Sequence, residues 1–192
     1  MKRMALVTVI LALAAPLALA QTSTWKIDPA HSEVDFDVLH MSISHVHGRF
    51  AVKEGAIVLN EADITKSSVQ VTIDSTTVDT GVSMRDNDLK SSGFFDVASF
   101  PTATFVSTSV AKTATGLSVT GNLTLHGVTK PVTLTVEGPT GPTPGMMDHK
   151  PHAGYSATTT VNRVDFGIGT KYPDAAVGDA IKLSIDLEVV KQ

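Results

Sequence analysis

Apolar and polar residues alternate along this chain from about Val34 to its C-terminus. The pattern is plainest at the end, where Ile181, Leu183, Ile185, Leu187 and Val189 interleave with Lys182, Ser184, Asp186 and Glu188. A period of two gives a strand one apolar face and one wet face. No helical period of comparable length interrupts it, so the pattern predicts an all-β protein with an apolar interior. Closure into an up-and-down barrel would remove the exposed sheet edges, and a two-sheet sandwich is the alternative. The inside of a small barrel is either filled by side chains or left open for one ligand. Whether the interior is a core or a pocket is therefore the functional question.

Eight to nine strands are expected. Val34, Phe36 and Val38 share one parity, and a second strand begins at Phe50 and Val52 after Gly48, with Gly55 marking a turn before Ile57–Leu59. Val69, Val71 and Ile73 form the next, followed by 103–110, 117–125, 132–136 and a threonine-rich run over 155–163. Valine, isoleucine and threonine suit a pleated, half-buried surface. Two stretches break the alternation. Residues 80–95 read as a loop carrying one short helix over Met84–Lys90, and Gly138–Pro151 reads as a long surface loop because of its glycines and prolines.

The first 20 residues stand apart. Lys2 and Arg3, an apolar run from Ala5 to Ala15 and the small residues of Ala18-Leu19-Ala20 have the form of a secretory signal peptide cleaved after Ala20. The apolar run is too short to span a bilayer. The remainder, residues 21–192, has the length of a single domain, expected in the periplasm. There is no cysteine, which excludes thiolate zinc sites, c-type haem attachment and cysteine nucleophiles. The formal charge of −4 and the lack of a basic block argue against nucleic acid or an anionic membrane surface as a partner.

Seven histidines raise a metal or haem-handling reading, centred on His45 and His47 with His40 nearby and His149 and His152 further on. On a strand, His45 and His47 would share a side, as two imidazole ligands require, but Gly48 suggests a turn here. Ser, His and Asp occur without a nucleophile elbow, and the pairs Asp35/Asp37 and Asp86/Asp88 read as solvated charge, so no enzyme is expected. Arg85 and Arg163 have the planar fork that clamps phosphate or carboxylate, with a structural ion pair as the plainer reading of each.

Four motifs in order resemble the YceI-like family of bacterial polyisoprenoid-binding proteins. They are Trp25-Lys-Ile-Asp28-Pro-Ala-His31-Ser32 with Phe36 and His40 following, and Arg85-Asp86-Asn-Asp-Leu89-Lys leading to Phe94-Phe95-Asp96-Val97 and Phe100-Pro101. Then come Gly121-Asn-Leu-Thr-Leu-His126-Gly127-Val128-Thr129-Lys130 and Asn162-Arg163-Val-Asp165-Phe166-Gly167. The resemblance spans Trp25 to about Val189. It implies an extended, eight-stranded, antiparallel, lipocalin-like barrel with a short helix near Arg85, dimerisation in many members, and a long isoprenoid lipid, isoprenoid quinone or similar amphiphile in the cavity. No cofactor beyond that lipid is implied.

On that reading the cavity lining is expected from Val34, Phe36, Val38, Val71, Ile73, Leu123, Leu125, Leu134, Ile185 and Leu187, and the head-group candidates are Arg85, Arg163, His31 and His40. The family often has basic residues between positions 40 and 50, where this chain has His45 and His47. If that segment guards an anionic head group, binding would weaken as the histidines lose charge near neutral pH.

Overall fold

The computed structural model describes residues 22–192, so the signal peptide expected over 1–20 lies outside the described residues. Nine strands form one antiparallel sheet: β1 (Thr22–Ile27), β2 (Glu33–His40), β3 (Ser44–Asn60), β4 (Ser68–Asp79), β5 (Thr102–Lys112), β6 (Leu117–Leu125), β7 (Val128–Pro144), β8 (Pro151–Asn162) and β9 (Ala180–Lys191). One helix, α1 (Ser83–Lys90), follows β4, one residue longer at its start than the sequence predicts.

The sheet closes on itself as an eight-position barrel. The strands β3 to β9 pair in sequence order, and β1 and β2 together fill the eighth position, each pairing with both β3 and β9. The break between them is the segment Asp28–Ser32. Its carboxylate at Asp28 accepts the Ala30 N–H at 2.9 Å and starts a 3-10 turn over Pro29–His31. The backbone of Glu188 on β9 holds both sides of the break. Its carbonyl accepts the Asp28 N–H at 2.9 Å, and its N–H donates to the buried Ser32 hydroxyl at 3.0 Å. The first motif of the chain is thus a bulge built into the barrel wall.

Two expectations are corrected here. Gly48 and Gly55 do not end strands, because β3 is continuous for 17 residues and carries register shifts at Arg49/Ala51 and Val52/Glu54. Such bulges bend a long strand, which lets the first half of β3 pair with β2 and the second half with β1. Both glycines are present because neighbours come too close for a side chain. At Gly48 a Cβ would strike the Phe36 ring, and at Gly55 it would fall 2.5 Å from Ile27 Cδ1 and 2.6 Å from the Gln70 carbonyl oxygen. A backbone oxygen in the β3–β4 ladder cannot retreat without opening the ladder. Gly55→Ala is therefore expected to lower stability by roughly 1–3 kcal/mol, read as a lower urea midpoint.

The second correction concerns Gly138–Pro151, which is mostly strand. Pairs Thr140↔Gly154, Thr143↔His152 and Pro144↔Pro151 extend β7 against β8, leaving only residues 145–150 as the loop. The prolines are tolerated because β6 begins opposite Val136, so β7 beyond that point has a partner on one side alone. Proline lacks the N–H that a second partner would need.

A 3-10 turn over Ile64–Lys66 covers the end of the barrel where β3 passes to β4. Asp63 caps it, accepting the Thr65 hydroxyl at 2.6 Å and the Thr65 N–H at 3.1 Å. These bonds hold the Asp63 carboxyl below its usual range, the hydroxyl contributing most. A depressed folded value means that stability is present above the unfolded pKa of 3.8 and is lost as pH falls through the folded one. Thermal midpoints measured from pH 5 to 2 are expected to fall less steeply for Asp63→Asn than for the parent chain.

Candidate functional site

The apolar side chains inside the barrel do not merge into one core. One cluster lies on the wall of β1–β4 with β8 and β9 and includes Trp25, Ile27, Val52 and Val189, while the other lies on β5–β8 and includes Phe105, Val119, Leu123 and Val136. Val69, Tyr155 and Ile185 touch both. Between the clusters the barrel encloses two apolar chambers of about 120 Å³ each. The first reaches toward the β3–β4 end, with Leu59, Ile64 and Leu117 in its wall. The second reaches toward the α1 end, against Phe50, Leu89, Phe94 and Phe95. Val34, Ile73, Leu123 and Leu183 line both and form the waist between them.

All ten residues expected to line a cavity face one or both chambers. Val71, Leu134, Ile185 and Leu187 line the first, Phe36, Val38 and Leu125 the second, and Val34, Ile73 and Leu123 the waist. Parity alone located them. The same rule, carried further, finds residues that were passed over: Leu183 lies two before Ile185, and Tyr155 and Thr159 flank Ala157 on the inner face of β8. Phe105, on the inner face of β5, was also missed. Polar atoms are few. Ser67, Ser68, Thr159 and Tyr155 meet the first chamber, and burial pushes the Tyr155 phenol pKa up. Phe94 and Phe95 come from the loop after α1 and could not be placed by strand parity.

The α1 end is closed by a plug, and three of the four sequence motifs build it. Phe100 packs edge-on to His126 at 4.9 Å, the His126 imidazole bonds the Phe166 carbonyl at 3.0 Å, and Phe94 stacks on Tyr172 at 5.2 Å. Arg163 is the centre of this plug, only 3 % exposed. Its guanidinium donates to the carbonyls of Gly178, Ile168, Gly169, Tyr172 and Val177 at 2.6–3.2 Å and to the Asp179 carboxylate at 2.7 Å. Arg163 adjoins the second chamber, yet each of its nitrogens is engaged by the protein itself. As a head-group clamp it is corrected to a structural residue.

The other head-group candidates do not line either chamber. Arg85 donates to the Thr80 hydroxyl at 2.7 Å and carbonyl at 2.9 Å, and Asp86 accepts from the same hydroxyl and from the Thr80 N–H. His40 is exposed at the end of β2, bridged to Val177. His31 lies in the wall bulge, where its Nδ1 is 2.8 Å from Asp28. His45 and His47 sit within β3 rather than in a turn, on the outer face. They contact the two oxygens of the Asp37 carboxylate, at 2.5 and 3.5 Å. They line neither chamber.

A wide concavity of about 950 Å³ lies on the outside of the barrel across β3, β2, β9, β8 and β7. Its lining is Asp35, Asp37, His47, Arg49, Asp79 and Lys182 with a field of threonines. An apolar tail placed there would displace well-hydrated groups and gain little burial, whereas the enclosed chambers remove it from water.

On the same outer surface, at the wall bulge, charged groups gather from three parts of the fold. His152 Nδ1 is 2.6 Å from Glu188 Oε1 and its Nε2 is 3.1 Å from Asp148. Hydrogen bonds to these carboxylates, Glu188 first, raise the His152 pKa, and the bond from Asp28 raises that of His31.

Comparison with known proteins agrees with this architecture. A family described as YceI-like domain matches residues 25–189. Protein YceI of Salmonella newport is 37% identical over 178 residues, which is 90% of each chain. The crystal structure of the Campylobacter jejuni YCEI protein superposes with a TM-score of 0.69 at 31% identity, covering 78% of this chain and 87% of that one. Burkholderia cenocepacia BcnA gives 0.69 at 25% identity over 84% and 98%. A polyisoprenoid binding domain from Saccharophagus degradans, at 17% identity and a TM-score of 0.62 over 88% and 98%, shares the fold. With the barrel fold and the matched span in agreement, the chain belongs to the YceI-like family.

Proposed function

We propose that this chain is an exported, periplasmic binding protein, not an enzyme, that shields the tail of a long isoprenoid lipid or isoprenoid quinone within its barrel. The observation that carries the reading is the pair of apolar chambers placed end to end and joined at the waist of Val34, Ile73, Leu123 and Leu183. Two small apolar volumes in line fit a narrow, jointed chain better than a compact ligand. The Saccharophagus domain, described as polyisoprenoid binding, offers a likeness of fold that supports the ligand class.

Magnitudes constrain the tail. Burial at about 0.8 kcal/mol per CH₂-sized group gives roughly 4 kcal/mol for a five-carbon unit. Association costs on the order of 4–15 kcal/mol, so retention needs about four units or more. Chambers of 120 Å³ are smaller than the roughly 300–1,000 Å³ of ordinary small-molecule sites. Filling them with such a tail requires the leucine, isoleucine and phenylalanine side chains at the waist and in the second chamber to change rotamer.

The test is mass spectrometry of organic extracts from protein isolated from the periplasm without detergent. A prenyl lipid or quinone at one per chain is expected. A clean extract from folded protein that also fails to take up a long-chain prenyl quinone in vitro overturns the reading.

A further inference from the structure

The wall bulge gathers metal-ligating groups on the side of the barrel away from the chambers. One carboxylate oxygen of Asp28, one imidazole nitrogen of His31 and one carboxylate oxygen of Glu188 all lie within 4.8 Å of one another. From this convergence of Asp28, His31 and Glu188 we infer a binding site for a divalent transition-metal ion, of the zinc class, on the outer wall.

Three features support the assignment. First, the spacing is close to what such an ion needs. Bonds of about 2.0–2.2 Å from nitrogen and oxygen put tetrahedral ligand atoms about 3.3 Å apart, so small side-chain rotations complete the approach. His31 is two-thirds exposed, and its imidazole would exchange the 2.8 Å bond to Asp28 for the ion. Second, the frame is rigid where it must be. Asp28 and Glu188 are fixed relative to one another by the backbone bond from Asp28 N–H to the Glu188 carbonyl at 2.9 Å. Asp28 is further held through its other oxygen by the Ala30 N–H. Third, Glu188 has its own positioning residue. His152 bonds its Oε1 at 2.6 Å and is itself bonded by Asp148 at 3.1 Å, an outer layer of the kind that orients metal ligands.

The donor set selects the ion class. One imidazole with two carboxylates suits zinc, nickel or copper better than magnesium or calcium, which favour oxygen ligands throughout. Three carboxylates, counting Asp148, face two imidazoles, so the surface here favours a cation. The site is distinct from the pair His45 and His47, whose only carboxylate contact among the described residues is Asp37 on β2. The bound ion would bridge the interrupted strand position to β9 and tie the wall at its one break.

The probe is Zn²⁺ alone, added to the full folded chain freed of metal with a chelator and followed by calorimetry, with Co²⁺ absorption reporting the ligand field. One equivalent is expected to bind, with a higher thermal midpoint in its presence. His31→Ala and Glu188→Gln are expected to weaken Zn²⁺ by 100-fold or more, and His152→Gln by about 10-fold with an altered Co²⁺ spectrum. The double variant His45→Ala/His47→Ala should bind as the parent does. Zinc absorption-edge fine structure of the parent provides a readout independent of any variant, expected to show a single imidazole with oxygen ligands. Absence of binding at millimolar Zn²⁺, loss in the His45/His47 variant instead, or two imidazoles at the ion would each overturn the assignment. None of these outcomes bears on lipid in the chambers.

Discussion

Arg163→Met is expected to cost about 3–5 kcal/mol of stability, the range for breaking a buried, hydrogen-bonded charge pair by removing one partner. The substitution leaves five carbonyl oxygens and the Asp179 carboxylate without their donor; the arginine itself is buried, while Asp179 is one-third exposed and can turn to water. Any buried acceptor left unpaired costs about 1–3 kcal/mol, and relaxation of the 163–179 loop recovers part of the sum. Arg163→Lys should recover little. An ammonium has three donors on one atom, whereas the six acceptors are arranged around a planar fork. Urea unfolding of both variants, followed by near-ultraviolet circular dichroism, measures the effect. A head-group role would give a different result, with ligand affinity lost while the unfolding midpoint stays unchanged.

Leu123→Trp is expected to have the second large effect, this time on binding. Leu123 is on the inner face of β6 and lines both chambers. An indole there fills the waist and confines any tail to one chamber. If one five-carbon unit is then left in water, about 4 kcal/mol of burial is lost, which is about a 10³-fold weaker affinity. A tail too short to pass the waist should be affected far less. Overpacking carries its own penalty of roughly 1–3 kcal/mol, so unfolding must be followed in parallel. Equal losses for long and short tails would show that the tail does not pass the waist.

Much of the barrel was readable before any coordinates. The alternation in β9, with Ile181 through Val189 inward, and in β2, with Val34, Phe36 and Val38 inward, fixes which face is buried. Parity is a local property and holds along strands that carry no bulge. The failures have a common cause in proximity. Gly48 and Gly55 were read as turn residues, yet they lie within one strand because Phe36 and Ile27 from other strands press against them. The prolines near Pro142 were read as loop, yet they lie on a strand whose other side has no partner. Glycine and proline report local conformation poorly when the reason for them is a distant neighbour.

The site divides in the same way. The lining of the chambers was legible because an inward side chain in a barrel can only be core or cavity wall. For Arg163 a structural ion pair was the plainer reading, but its partners were not legible, because they lie up to 16 residues away on a loop whose path is set by tertiary packing. The convergence of Asp28 and His31 with Glu188 was equally hidden, since 157 residues separate His31 from Glu188 and only the closing of β1 and β2 onto β9 brings them together. By itself, the sequence determined strand parity and an apolar interior, because these follow from side-chain alternation along the backbone, whereas closure into a barrel rather than a sandwich was implied only by the family resemblance. The tertiary structure alone decided that the interior divides into two chambers, that the motif arginine is structural, and that a charged cluster lies outside. Each of those depends on distances between residues far apart in the chain, and no local pattern encodes them.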